Sequence, residues 1–260
     1  MTAFATDVTH KTVLITGAAR RIGRAMAENL ASAGWAVAVH YNSSSTEADE
    51  VVAAITARGG KAVSIGGDLA DAKAVNDIVP KAARALGSIG CLINNASIFE
   101  FDDIATATLE SWERHIAINL RAPFFLSQAF AAQVPTTDRG AIVNIIDERV
   151  WHLTPHFASY TVSKAGLWTL TQTSALGLAP RIRVNGIGPG PTLPSTRQSQ
   201  AQFDENARKM PLGRGTTPEE ICAAVRFILA APAMTGQMIA LDGGQHLGWG
   251  QVSASARPAD

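Results

Sequence analysis

From Lys11 onward, short runs rich in β-branched and apolar residues alternate with longer helix-like segments, and a chain with that rhythm folds as a parallel sheet whose crossovers are helices. The pattern predicts strands at 12–16, 36–41, 62–66, 91–94, 141–146, 183–186 and 238–241. Between them it predicts helices at 22–33, 46–58, 71–86, 109–132, 157–178 and 218–230. The run 141–146 is nearly all apolar and β-branched, as a strand covered on both faces must be. The expected architecture is therefore α/β, a sheet of seven parallel strands covered by helices.

The sequence has 260 residues and no internal repeat or linker, so 1–248 reads as one domain. A polar stretch with three prolines, 191–212, interrupts the rhythm and is expected to be a lid or substrate loop. Residues 249–260 are expected to be a mobile tail. With 22 basic and 22 acidic residues, the formal net charge is zero, which argues against nucleic acid or an anionic membrane and for a small-molecule ligand. No apolar stretch has the character of a signal peptide or reaches membrane-spanning length, so a cytoplasmic location is expected. Cys91 and Cys222 lie inside predicted elements without metal-ligand spacing, so both are expected as buried free thiols, with no metal site.

Gly17 to Gly23 fills the connection between the first strand and the first helix, where a turn aims a helix N-terminus at an anion. Gly17 leaves the strand and Gly23 falls in the first helical turn, a place where close approach requires a small residue. Arg21 stands where such turns usually carry their middle glycine, and Arg20 adds a second cation. A dinucleotide is the ligand these residues suit. At the end of the second strand, His40, Tyr41, Asn42, Ser43 and Ser44 offer no acid for a ribose 2′-hydroxyl; the first acid is Glu47. Arg20 with Ser43 and Ser44 can instead receive a 2′-phosphate, so NADP is expected rather than NAD.

Tyr160 and Lys164 are four residues apart in a predicted helix and share a face. An ammonium beside the phenol, joined by the positive charge of an oxidised nicotinamide, is expected to bring Tyr160 down toward neutrality as a proton donor. Asp147 lies thirteen residues before Tyr160, at the end of the 141–146 run.

Together with Asn94-Asn95-Ala96, Asn119 and Pro189-Gly190, these motifs resemble the short-chain dehydrogenase/reductase superfamily over nearly the whole chain. The resemblance implies a Rossmann-type doubly wound sheet of seven parallel strands, of order 3-2-1-4-5-6-7, with helices on both faces. It implies a catalytic set of Tyr160, Lys164 and Asn119, completed by Asp147 at the place of the fourth member, with Asn119 holding a water that links the lysine to solvent. It also implies a cofactor surface of Gly17, Arg20, Arg21, Ile22, Gly23 and His40 to Ser44. Asp68 and Leu69 would lie by the adenine, Asn95, Ala96 and Ser97 farther along, Tyr160 and Lys164 at the reacting end, and Pro189, Gly190 and Thr192 by the pyrophosphate and carboxamide. Assembly as a homotetramer through helices 109–132 and 157–178 is implied likewise.

Within the superfamily the chain is most similar to pteridine reductases, including the bacterial dihydromonapterin and dihydrofolate reductases of this fold. Asp147 replaces the usual serine, and the arginine pair, His40-Tyr41 and Asn94-Asn95-Ala96-Ser97-Ile98-Phe99 point the same way. The chain departs from that subgroup at Asn42-Ser43, where a basic residue is usual. The likeness implies a pterin ring between the nicotinamide and Phe99, with Ser97, Arg21, Asp147 and Tyr160 around it. The chemistry agrees: a carboxylate opposes the oxyanion formed in carbonyl reduction, whereas an Asp–Tyr pair can relay a proton to the basic nitrogen of a reduced C=N bond. Trp151, His152 and His156 are candidates either for the substrate mouth or for packing. Two rival readings are a carbonyl or 3-oxoacyl reductase of the same fold and a non-catalytic NADP-binding sensor. The intact Tyr160, Lys164 and Asn119 set argues against the sensor.

Overall fold

The structure, a computed structural model, describes residues 6–194 and 198–248. The expected tail 249–260, and part of the expected loop, lie outside those residues. Seven parallel strands form one sheet in the order β3-β2-β1-β4-β5-β6-β7. They are β1 (Thr12–Ile15), β2 (Ala36–Tyr41), β3 (Ala62–Gly66), β4 (Cys91–Asn94), β5 (Gly140–Ile145), β6 (Ile182–Pro189) and β7 (Met238–Leu241). The helices are α1 (Arg21–Ser32), α2 (Ser45–Ala57), α3 (Ala72–Leu86), α4 (Leu109–Ile116), α5 (Ala122–Gln133), α6 (Ala158–Leu178), α7 (Gln200–Arg208) and α8 (Pro218–Leu229). This is the doubly wound α/β architecture expected.

Alternate strand residues feed two core layers, as the period of a strand requires. Val13 and Ile15 of β1 pack with Met26 and Leu30 of α1 and with Ile221 and Val225 of α8. Leu14 points the other way, into a layer with Ile78 of α3 and Leu126 and Phe130 of α5. Chain order reverses between β1 and β4, so the carboxyl ends of those strands open a crevice at the switch point, where ligands bind in open α/β sheets.

Three elements differ from the sequence expectation. The helix expected across 109–132 is interrupted by a π-helical turn, Ala117–Arg121, which carries Asn119 into the interior. Such a turn widens the helix and recurs at functional sites. β6 runs three residues past Gly186, to Pro189, because its glycines mark close packing: a Cβ on Gly186 would sit 2.4 Å from Ile146 Cδ1. The polar stretch 191–212 contains α7, started by a reciprocal cap between Ser199 and Gln202. Both cysteines are buried and free, as expected. No helix among the described residues is long and apolar enough to cross a membrane.

Candidate active site

The β1–α1 turn is held from three sides. Asn95 Nδ2 donates to the carbonyls of Thr16 (2.8 Å) and Gly17 (3.2 Å), while Thr16 Oγ1 accepts from the backbone N–H groups of Asn95 and Ala96. Gly17 has φ +63° and lies so close to the β4 loop that a Cβ would be 3.1 Å from Ala96. A Cβ on Gly23 would be 2.2 Å from Gly17 O and 2.7 Å from Asn95 Nδ2. Both glycines thus keep open a cradle that larger side chains would fill, and this fits a dinucleotide.

His40 supports the turn from behind. The Gly17 N–H donates to its Nδ1, and its Nε2 donates to Gly67 O. Burial pushes the imidazole down to about 4, so it is neutral at pH 7 with both ring nitrogens used. Arg21 adopts φ +54°, the left-handed conformation that explains why glycine is usual at its position. Its guanidinium donates to Pro194 O (2.8 Å) and Leu193 O (3.2 Å), tying the turn to the chain after β6. Arg20 pairs with Glu47 of α2. Ile22 and Tyr41 are half-buried, Asn42, Ser43 and Asp68 are exposed, Ser44 precedes α2 without a side-chain capping bond, and Leu69 is buried. All lie in the loops or helix starts at the carboxyl ends of β1, β2 and β3, along one rim.

Asp147 follows β5 in extended backbone. Its Oδ2 accepts the Tyr160 hydroxyl at 2.6 Å and its Oδ1 accepts the Arg149 N–H at 2.9 Å. Lys164 Nζ donates to Ile145 O at 2.8 Å and lies 5.7 Å from the Tyr160 ring centre. The two groups therefore share the face expected from their spacing. The direction of the phenol is opposite to expectation: burial, and then the Asp147 carboxylate, hold Tyr160 well above its ordinary value. Burial also draws Lys164 down to about 8, against the opposing pull of Asp147. In this arrangement Tyr160 is a protonated donor aimed at Asp147.

Asn119 is fully engaged. Its Nδ2 donates to Ile98 O and Ser163 Oγ, and its Oδ1 accepts from the Ile98 N–H and the Ser97 hydroxyl. The π-helical turn therefore clamps the loop that carries Ser97 and Phe99. Pro189 ends β6, the Gly190 N–H donates to Leu241 O, and Thr192 Oγ1 donates to Gly190 O. This strap lies along the same rim.

An aromatic wall faces Tyr160. The Phe99 ring stacks on Phe157 at 4.2 Å and meets Tyr160 edge-on at 4.7 Å. Phe157, with φ +59°, was not anticipated, although its place three residues before Tyr160 puts it within one helical turn. Asp102 anchors this corner: its carboxylate accepts the Ser159 N–H and the Ser111 hydroxyl, and its carbonyl accepts the Phe157 N–H. Trp151 packs edge-on to Trp168 and His246, His152 is exposed, and the His156 ring lies 5.7 Å from Phe101. Glu148, buried beside Asp147, also escaped the sequence reading.

Residues 17–246 match the family model described as Enoyl-(Acyl carrier protein) reductase. The chain belongs to the short-chain dehydrogenase/reductase superfamily. Among solved structures it resembles FolM alternative dihydrofolate reductase 1 from Brucella suis, in complex with NADP, at 44% identity and a TM-score of 0.91, covering 95% of this chain and 98% of that one. A short-chain dehydrogenase/reductase from Serratia marcescens is 32% identical, with a TM-score of 0.85 and coverage of 92% and 98%. Among curated proteins, a 3-oxoacyl-[acyl-carrier-protein] reductase of Synechocystis sp. is 34% identical over 243 residues, 92% of this chain and 98% of that protein. The pteridine reductase resemblance read from the sequence agrees with the FolM structures. This short-chain dehydrogenase/reductase is an oxidoreductase, and the glycine cradle suits the nicotinamide cofactor its superfamily binds.

Proposed function

We propose that the protein is an NADPH-dependent reductase that acts on a C=N bond of a pteridine or folate-like substrate. The observation that carries this reading is the 2.6 Å hydrogen bond from Tyr160 to Asp147, in the position where a carbonyl reductase of this fold places a serine hydroxyl. A carboxylate there disfavours a developing oxyanion and favours delivery of a proton to nitrogen. The 44% identity to proteins named dihydrofolate reductase supports the same reading.

The glycine cradle, Arg20, Arg21 and the 189–192 strap would hold NADPH, which would supply the hydride. Tyr160 delivers the proton, Asp147 orients the phenol and relays the proton that replaces it, and Lys164 supplies positive charge from beneath. Asn119 holds the Ser97–Phe99 loop, so that Phe99 and Phe157 form an apolar wall for a flat heteroaromatic ring. Arg21 pins Leu193 and Pro194 at the start of the 191–212 stretch, the substrate loop of the single domain 1–248.

Purified protein assayed for NADPH oxidation against dihydropterins, dihydrofolate and ketones tests the reading. Turnover of dihydropterin or dihydrofolate, abolished by Asp147→Ser, is the expected result; ketone reduction that survives or improves in Asp147→Ser would replace it with the carbonyl or 3-oxoacyl reading. The 3-oxoacyl reductase relatives make that rival specific. A Tyr160→Phe variant that keeps its biological output would favour the sensor. We further propose a cytoplasmic homotetramer: Trp112, Phe124, Phe125 and Leu176 are large apolar residues left exposed on α4, α5 and α6. Light scattering that returns a monomer overturns this assembly.

A further inference from the structure

Glu148 directly follows Asp147, in the short 3₁₀ turn 148–150, and only 4% of its surface is exposed. Its Oε2 is buried without a hydrogen-bond partner. The two neighbouring carboxyl groups therefore sit in opposite surroundings: Asp147 receives the Tyr160 hydroxyl and the Arg149 N–H, while Glu148 Oε2 receives nothing. An ion without donors in a buried place is costly, whereas a neutral acid is tolerated. We propose that Glu148 is a positioning residue for the reduction, a carboxyl that is neutral in the working enzyme and whose ionisation places a second negative charge beside the Asp147–Tyr160 proton donor and slows it. This rests on the reading of Tyr160 as the proton source.

The charges around Glu148 favour the neutral acid. Asp147 and Asp242 oppose its ionisation, Arg149 favours it, and burial dominates, pushing Glu148 up to about 8. Helix α6, strand β6 and the 3₁₀ turn 245–247 pack against the same turn; Tyr160 of α6 feels the Glu148 charge, and Asp242, which accepts from His246, acts on it from the far side. A negative Glu148 also raises Tyr160 further. During reduction the O–H bond of Tyr160 breaks as an N–H bond forms on the substrate, leaving a phenolate beside Asp147; one proton from water restores the phenol. A neutral Glu148 keeps the number of adjacent anions at that moment to two, and an ionised one makes it three.

The test measures single-turnover NADPH oxidation from pH 6 to 10 in wild type, Glu148→Gln and Glu148→Asp. Expected is a wild-type rate that drops about tenfold across pH 8, one pKa unit of added charge on the donor. Glu148→Gln, neutral and of the same shape, should show a smaller drop between pH 6.5 and pH 9.5 than wild type, and Glu148→Asp should restore it. A drop of undiminished size in Glu148→Gln belongs to Lys164, also near 8, and overturns the proposal, as does a wild-type rate with no drop. Difference infrared spectroscopy without substrate separates this from the reading of function. A protonated-carboxyl band that titrates away near pH 8 and is missing in Glu148→Gln upholds a neutral Glu148 even if no pterin is reduced. A spectrum in which Glu148→Gln changes nothing refutes it whatever the substrate.

Discussion

Replacing Gly23 by alanine tests whether the cofactor turn owes its shape to close packing. The new methyl would sit 2.2 Å from Gly17 O, 2.7 Å from Asn95 Nδ2 and 2.9 Å from Ala18 Cα. Two of those three atoms are backbone, so the first turn of α1 must move by about an ångström. Overpacking of this kind costs about 1–3 kcal/mol. Loss of one bond from Asn95 adds about 0.5–1.5 kcal/mol. The sum, about 1.5–4.5 kcal/mol, corresponds in a domain of this size to a Tm lower by about 3–18 °C. Because the displaced atoms form the cradle, the thermal shift produced by saturating NADP should also vanish. Gly34→Ala is the control: at φ +83°, with open space around its Cβ, it bears conformational strain alone, about 1–2 kcal/mol, and should keep the full NADP shift. Thermal denaturation of both variants with and without NADP decides the matter. A Gly23→Ala protein with the wild-type Tm and the full NADP shift would refute the packing argument.

His40 gives a pH dependence whose sign follows from its position. With a native value of about 4 against an ordinary 6.5, the folded protein binds fewer protons than the unfolded chain between those limits. The stability is therefore complete above pH 6.5 and is lost as pH falls toward 4, by up to about 3 kcal/mol. Urea midpoints at pH 7 and pH 5 should differ accordingly, and a His40→Gln protein with the same pH difference would assign it elsewhere. Arg21→Gly relieves a left-handed arginine, worth about 1–2 kcal/mol, but severs the bonds to Leu193 and Pro194. Its Tm should hold or rise while the segment after β6 becomes easier to cut in limited proteolysis; unchanged cleavage would show that Arg21 does not restrain it. Thr217→Ala removes the reciprocal cap with Glu220 at the start of α8 and should cost about 1 kcal/mol in urea unfolding. No measurable loss would mean that Pro218 and packing suffice.

Much of this molecule is legible in the order of its residues. Strand runs such as 141–146 read clearly because a strand buried on both faces needs little besides apolar, β-branched side chains. Gly17, Gly23 and the Tyr160–Lys164 spacing were equally readable, since each is a local geometric requirement. The misreadings have a common cause. Gly186 weakened the strand signal of β6, yet it is there because Ile146 leaves no room for a side chain. His40 reads as a cofactor contact, but it spends both ring nitrogens on Gly17 and Gly67, contacts that arise only when the loops after β1 and β3 are brought together.

The sequence by itself determined the sheet, its crossovers and the identity of the residues along its carboxyl edge, because hydrophobic period and turn chemistry are local. Only the tertiary structure decided the electrical state of the site. Spacing along α6 places Lys164 near Tyr160, but spacing does not reveal that the ammonium bonds Ile145 O while the phenol bonds Asp147, thirteen residues away in sequence and 2.6 Å away in space. Burial and that carboxylate raise Tyr160 where the lysine and an oxidised nicotinamide together suggested a fall. Proton affinity is a sum over everything within a few ångströms, and that neighbourhood exists only once the chain has folded.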